Sequence, residues 1–201
     1  MSTIPMPPSS SDWLPPPESV YRFSVEKYEE MVASGVFTKS DRFHLINGIL
    51  VVKMSEYPPH AAVSDATRLP IESILPAGWY IRPDKPLRIP NRSSVPEPDL
   101  VVTRGRPQDY FHRHPEPADV ALVVEVADSR LREARDLIAV YGGGGVPVYW
   151  IVNMVDRQVE IYTGPNPTGY QSLIVVTPGQ DAAVVIAGRE VGRIAVADLF
   201  P

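Results

Sequence analysis

Ala121-Leu-Val-Val-Glu-Val-Ala127 is an apolar run interrupted by a single acid. A strand with one face in water alternates apolar and polar residues, so a run that is apolar at both parities belongs inside a sheet covered on both sides. Glu125 is the odd residue of that run. The following segment, Ser129 to Tyr141, places Leu131, Ala134, Ile138 and Tyr141 on one helical face, with Ser129 as a cap and Gly142 to Gly145 as a stop. Val146 to Asn153 then reads as another strand, and Asp156 to Gln158 as a turn into Val159 to Tyr162, which pairs back as a hairpin. Strand, helix and strand in succession imply an α/β domain.

The rest of the chain fits around that centre. Residues 1–19 are rich in proline and serine and cannot bury enough apolar area to offset the entropy of ordering, so they read as a flexible tail before a single domain over 20–201. Ser24 to Gly35 has a serine cap, apolar residues at Val25, Tyr28 and Val32, and a glycine stop, which predicts a short amphipathic helix. Asn47-Gly48 between Phe43 to Ile46 and Ile49 to Met54 predicts a β-hairpin. His60 to Leu75 is helical in composition, but Pro70 is expected to kink or split it. Trp79 to Ile89 reads as a strand, and Pro98 to Thr103 as a second one that carries Asp99 at its start. The apolar runs Leu173 to Val176, Val184 to Ala187 and Val191 to Val196 are expected to add β structure at the sheet edge.

Composition removes several classes. With no cysteine among 201 residues, disulfide frameworks, thiolate metal sites and cysteine nucleophiles are all excluded. The N-terminus lacks the basic start and apolar run of a signal peptide, and no stretch approaches the roughly 18 apolar residues of a membrane span, which points to the cytoplasm. A net charge of −5 offers no overall field for a polyanion, so contact with nucleic acid has to be local. The segment Arg82 to Arg113 is the place for it, with seven Lys and Arg against four acids.

Asp99 and Glu125 can meet at one end of the sheet, each on its own strand with about twenty residues between those strands. Adjacent hard oxygen ligands suit Mg²⁺ or Mn²⁺, which keep several waters and take one or two carboxylates from a protein. Such an ion activates water and neutralises charge on a phosphodiester. Taken alone, the same residues fit a structural role better, with Asp99 starting a strand and Glu125 paired to an arginine.

Pro96-Glu-Pro-Asp-Leu-Val-Val102, Ala121 to Ser129 and Tyr141 to Asn153, together with Asp41-Arg42, Asn47-Gly48, Pro59-His60 and Asp156-Arg157, resemble the Uma-type putative restriction endonucleases of the PD-(D/E)XK superfamily. The likeness runs from about Tyr21 to the end of the chain and keeps the motif order. It implies a restriction-endonuclease-like α/β core: a mixed central sheet flanked by helices, with extra C-terminal β-hairpins. It also implies metal-dependent hydrolysis of DNA in active relatives. By this resemblance Asp99 and Glu125 match the metal-binding acids, and the backbone carbonyl of Val126 is a further ligand. Three positions depart from the pattern. His44 and Asn47 stand where relatives carry acids, and Leu137 stands where they carry a lysine, four residues before Tyr141. Arg135 and Arg132 are the nearest cations in sequence. An arginine there stabilises charge but is a poor general base, and both also fit the solvated face of an ordinary helix. Two functions therefore stand: a metal-dependent DNA endonuclease, or a nuclease-fold module that binds nucleic acid or a protein partner without cutting. A homodimer is compatible with either.

The remaining candidates carry less. His112 and His114 lack a third ligand of fixed spacing, and His60 and His44 read as structural or half-buried. Gly142 to Gly145 ends a helix, whereas a phosphate-binding loop precedes one.

Overall fold

The computed structural model describes residues 15–37, 41–53 and 57–200. Its strands and α-helices are, in chain order, α1 (Val25–Ala33), β1 (Phe43–Ile46), β2 (Ile49–Val52), α2 (Pro58–Ile74), β3 (Trp79–Pro83), β4 (Leu100–Arg104), β5 (Val120–Ala127), α3 (Leu131–Asp136), α4 (Ile138–Gly144), β6 (Val148–Asn153), β7 (Gln158–Asn166), β8 (Gly169–Val176), β9 (Asp181–Ile186) and β10 (Arg189–Ala195). Most of the expected N-terminal tail lies outside the described residues, and Pro17–Ser19 form one exposed 3-10 turn.

Six strands form the central sheet in the order β3-β4-β5-β6-β7-β8. β5 and β6 run parallel and the other neighbours antiparallel, so the sheet is mixed as expected. Alternate residues of the inner strands divide between two apolar layers. Leu122, Val124, Trp150 and Val152 pack with Val63 and Ile71 of α2 and with Ala182, Val184 and Ile194 of the β9-β10 hairpin. Val123, Ala127, Tyr149 and Ile151 pack with Ala134 of α3 and with Val140 and Tyr141 of α4. This double cover is why β5 is apolar at both parities.

The β1-β2 hairpin has the expected Asn-Gly turn, with Asn47 at φ 49° and Gly48 at φ 78°, the positive pair that a type I′ turn requires. A Cβ on Gly48 would lie 2.7 Å from the Arg22 Cβ, so that glycine also admits the chain that precedes α1. Ser24 caps α1, its hydroxyl accepting the Lys27 N–H at 3.2 Å.

Several expectations are corrected. Pro70 does not split α2, which runs through it; anchoring of His60, Val63, Thr67 and Ile71 in the interior outweighs one missing backbone hydrogen bond. Trp79 to Ile89 is a strand only to Pro83, because Asp84 turns to φ 49° and Leu87 and Ile89 leave the sheet for the layer beneath α4. Ser129 to Tyr141 is two short helices joined at Leu137, without a serine cap: the Ser129 hydroxyl donates to Asp128 instead. The glycine run does not stop the second of them until Gly145, at φ 91°. Gly142, Gly143 and Gly144 lie inside α4, pressed against Gly169, Arg92 and Ile89. Finally, β9 and β10 form their own two-stranded sheet over the face of the central sheet, and only β8 extends its edge.

Candidate active site

The register of β4 against β5 builds the site. Leu100 pairs with Val124 in this antiparallel ladder, so the next step outward sets Asp99 opposite Glu125. Asp99 is buried, and its Oδ2 accepts the Val126 N–H at 2.6 Å. Glu125 shares its face with Val123 and Ala127 and is the one residue of β5 with partial access to solvent. Tyr141, fully buried in α4, donates its hydroxyl to Glu125 Oε1 at 2.6 Å. From α2, the His60 Nε2 approaches the Val126 carbonyl at 3.0 Å and Asp99 Oδ2 at 3.5 Å. The two acids line one small cavity together with Lys53, His60, Asp128 and Leu137.

Electrostatics make this pair unusual. Burial first, and the charge of Asp99 second, push the Glu125 carboxyl well above the usual carboxylate range, while the Tyr141 hydroxyl and Lys53 pull the other way. Burial and the adjoining Glu125 also raise the Tyr141 phenol far above its ordinary value, so it stays a hydrogen-bond donor. A buried Glu125 carboxyl pushed up by the charge beside it calls for a proton or a cation in the site. Asp128 adds a buried Oδ2 without a hydrogen-bond partner among the described residues; its Oδ1 accepts from Ser129 Oγ and the Arg130 N–H. The donors are all hard oxygens, which fits Mg²⁺ or Mn²⁺ rather than a soft metal. Among the described residues no group of three or more His, Asp and Glu side chains is arranged to hold a metal, so the charged contribution here is a pair of acids. The Val126 carbonyl has one lone pair directed to His60, leaving the second.

The cations fall otherwise than the sequence suggests. Arg135 is engaged by buried Glu160 of β7, with contacts of 2.5 and 3.2 Å, and does not line the cavity. Arg132 is exposed on α3. Leu137 does face the cavity, and so does His44, whose imidazole is held neutral by burial and by the charge of Lys53, with its pKa down to about 4. Asn47 serves the hairpin turn. His112 and His114 line a separate groove beside α1. Much of the positive excess over 82–113 is neutralised: Arg88 binds Glu26, Glu29 and Glu116, and Arg113 binds Asp119.

Sequence reasoning missed Lys53 and Tyr141 and undervalued His60. Tyr141 carried a signal, because a tyrosine on the buried face of a helix needs a partner for its hydroxyl. Lys53 ends an apolar run, and nothing local tells which way it reaches.

A sequence profile of the family Uma2, described as "Putative restriction endonuclease", matches residues 25–195. The chain belongs to the Uma2 family. No curated protein matches this Uma2 chain. Among solved structures it is similar to a putative nuclease belonging to DUF820 from Anabaena variabilis, at 14% identity, with a TM-score of 0.67 over 89% of this chain and 97% of the other. At that identity the likeness shows the fold, and the restriction-endonuclease-like core expected for this Uma2 protein is the one it has.

Proposed function

We propose that this Uma2 protein hydrolyses phosphodiester bonds in DNA, with Asp99, Glu125 and the carbonyl of Val126 holding Mg²⁺ or Mn²⁺ in a PD-(D/E)XK-type site. The observation that carries this reading is the meeting of Asp99 and Glu125 at the end of the β4-β5 ladder, in one cavity where burial and the charge of Asp99 push the Glu125 carboxyl up. When bound, the ion supplies positive charge to the phosphate and polarises water. The protein's own contribution is positional. Val126 N–H holds the Asp99 carboxylate, with the His60 ring packed beside it against the Val126 carbonyl, and Tyr141 holds Glu125, so neither acid has to reorganise to accept a cation.

Cleavage of supercoiled plasmid in Mg²⁺ and Mn²⁺, beside Asp99→Ala and Glu125→Ala and with an EDTA control, tests the reading. Cleavage by the natural sequence should fall by about 10³-fold or more in each variant, as for other catalytic groups that act as a unit. Equal cleavage by the natural sequence and both variants would reject it. The second reading, a module that binds without cutting, is favoured by the engagement of Arg135 with Glu160 and by apolar Leu137 on the α3-α4 side of the cavity.

A further inference from the structure

The cavity that holds Asp99 and Glu125 also contains a fixed ammonium, supplied by the hairpin rather than by α3 or α4. Lys53 directly follows β2, and its side chain is 14% exposed. Its Nζ donates to Asp84 Oδ1 at 2.9 Å and to the Glu97 carbonyl at 3.3 Å, with the Glu97 carboxylate at 3.6 Å. The Asp84 N–H donates in turn to the Asp99 carbonyl at 3.1 Å, so the anchor of the lysine is tied to the main chain of a candidate ligand. An ammonium has three protons, and these two hydrogen bonds leave one for a ligand. Burial by itself would favour the neutral amine. The Asp84 and Glu97 carboxylates beside it outweigh that and keep the group an ammonium. Arg130 lines the same cavity, but among the described residues no hydrogen bond or ion pair fixes its guanidinium. Electrostatic catalysis depends on charge that is in place before the reaction, which distinguishes Lys53 from Arg130.

We propose that Lys53 is a catalytic residue of this site, its ammonium neutralising the charge that develops on a phosphodiester in the cavity that Asp99 and Glu125 line. The inference rests on the hydrolase reading above. In the step it serves, the oxygen of a water molecule bonds to phosphorus and one ester P–O bond breaks. One proton of that water reaches the leaving alkoxide through solvent, and Lys53 keeps its own protons throughout.

The test compares the natural protein with Lys53→Met, Lys53→Arg, and Lys53→Met combined with Leu137→Lys, which brings an ammonium to the cavity from the junction of α3 and α4. Single-turnover cleavage of supercoiled plasmid and of pooled random-sequence duplex is measured in Mg²⁺. DNA binding in Ca²⁺ and thermal melting are measured beside it. Lys53→Met should cut about 10²-fold or more slowly, the usual cost of one lost electrostatic group, with DNA affinity within about threefold of the natural protein. Lys53→Arg should keep roughly a tenth of the rate, and Leu137→Lys should restore roughly tenfold to the Lys53→Met protein. Lys53→Met cutting at the natural rate would overturn the proposal while leaving the hydrolase reading intact. So would a loss that neither Lys53→Arg nor Leu137→Lys restores, since that marks a structural anchor. If the natural protein does not cut either substrate, the hydrolase reading fails and the role of Lys53 fails with it.

Discussion

Arg135 and His44 show how a side chain's partner, more than its type, decides what it can do. Arg135 neutralises Glu160, a buried carboxylate that also accepts hydrogen bonds from Tyr162 and Asn153. Arg135→Met is therefore expected to cost about 2–4 kcal/mol of stability, because it strands a buried charge. It should leave cleavage per folded molecule unchanged, since Arg135 does not line the cavity. Urea denaturation and plasmid cleavage on the same preparation separate the two effects. His44 has a folded pKa of about 4 against 6.5 for the free residue, lowered by burial and then by Lys53. Between those values the unfolded chain binds the proton and the folded chain does not, so stability rises with pH across that window and falls as pH drops through it. The contribution is about 2 kcal/mol after allowance for partial solvent access. Replacing His44 by leucine should flatten the stability profile between pH 4 and 6.5, which denaturant melts over that range would register.

At the scale of elements, α4 is the least ordinary piece. Gly142, Gly143 and Gly144 weaken a helix by about 1 kcal/mol each relative to alanine, which is why the sequence reads as a stop there. The sheet explains them. A Cβ on Gly142 would lie 2.1 Å from the backbone oxygen of Gly169, at the turn between β7 and β8, so the helix can sit this close only without one. Gly142→Ala sets a propensity gain of about 1 kcal/mol against a backbone clash, and the clash wins because main chain cannot step aside as a side chain does. A net loss of about 2 kcal/mol or more is expected in a urea titration. The same displacement would move Tyr141, so the proposed cleavage of plasmid should fall further than stability alone accounts for.

Over the whole molecule, one region remains unfinished. β8 is the outer strand of the sheet and exposes Leu173, Ile174 and Val175 in succession, with no charge and no bulge to protect the edge. Unpaired, uncharged edges invite pairing with another chain. Ile174→Lys should leave stability within about 0.5 kcal/mol, because the side chain is already 56% exposed, while reducing concentration-dependent association in sedimentation velocity. Against that open edge, β5 and β6 are sealed by helices and by the β9-β10 hairpin, and the candidate site opens at the end of β5 where the cover parts.

Asp99 and Glu125 stood out only through the family resemblance, whereas the sequence by itself determined the interior strand from its unbroken apolar parity and the hairpin from Asn47-Gly48. Those features are written in local periodicity and turn chemistry, which neighbouring residues alone express. The unbroken path of α2 through Pro70, the helical glycines of α4, the hairpin laid over the sheet face, and the partners of Arg135, Lys53 and Tyr141 were decided by tertiary structure. Each depends on a contact between segments far apart in the chain. A propensity of about 1 kcal/mol per residue yields when packing across the sheet is worth more, and a long charged side chain takes whichever buried partner the fold brings within reach.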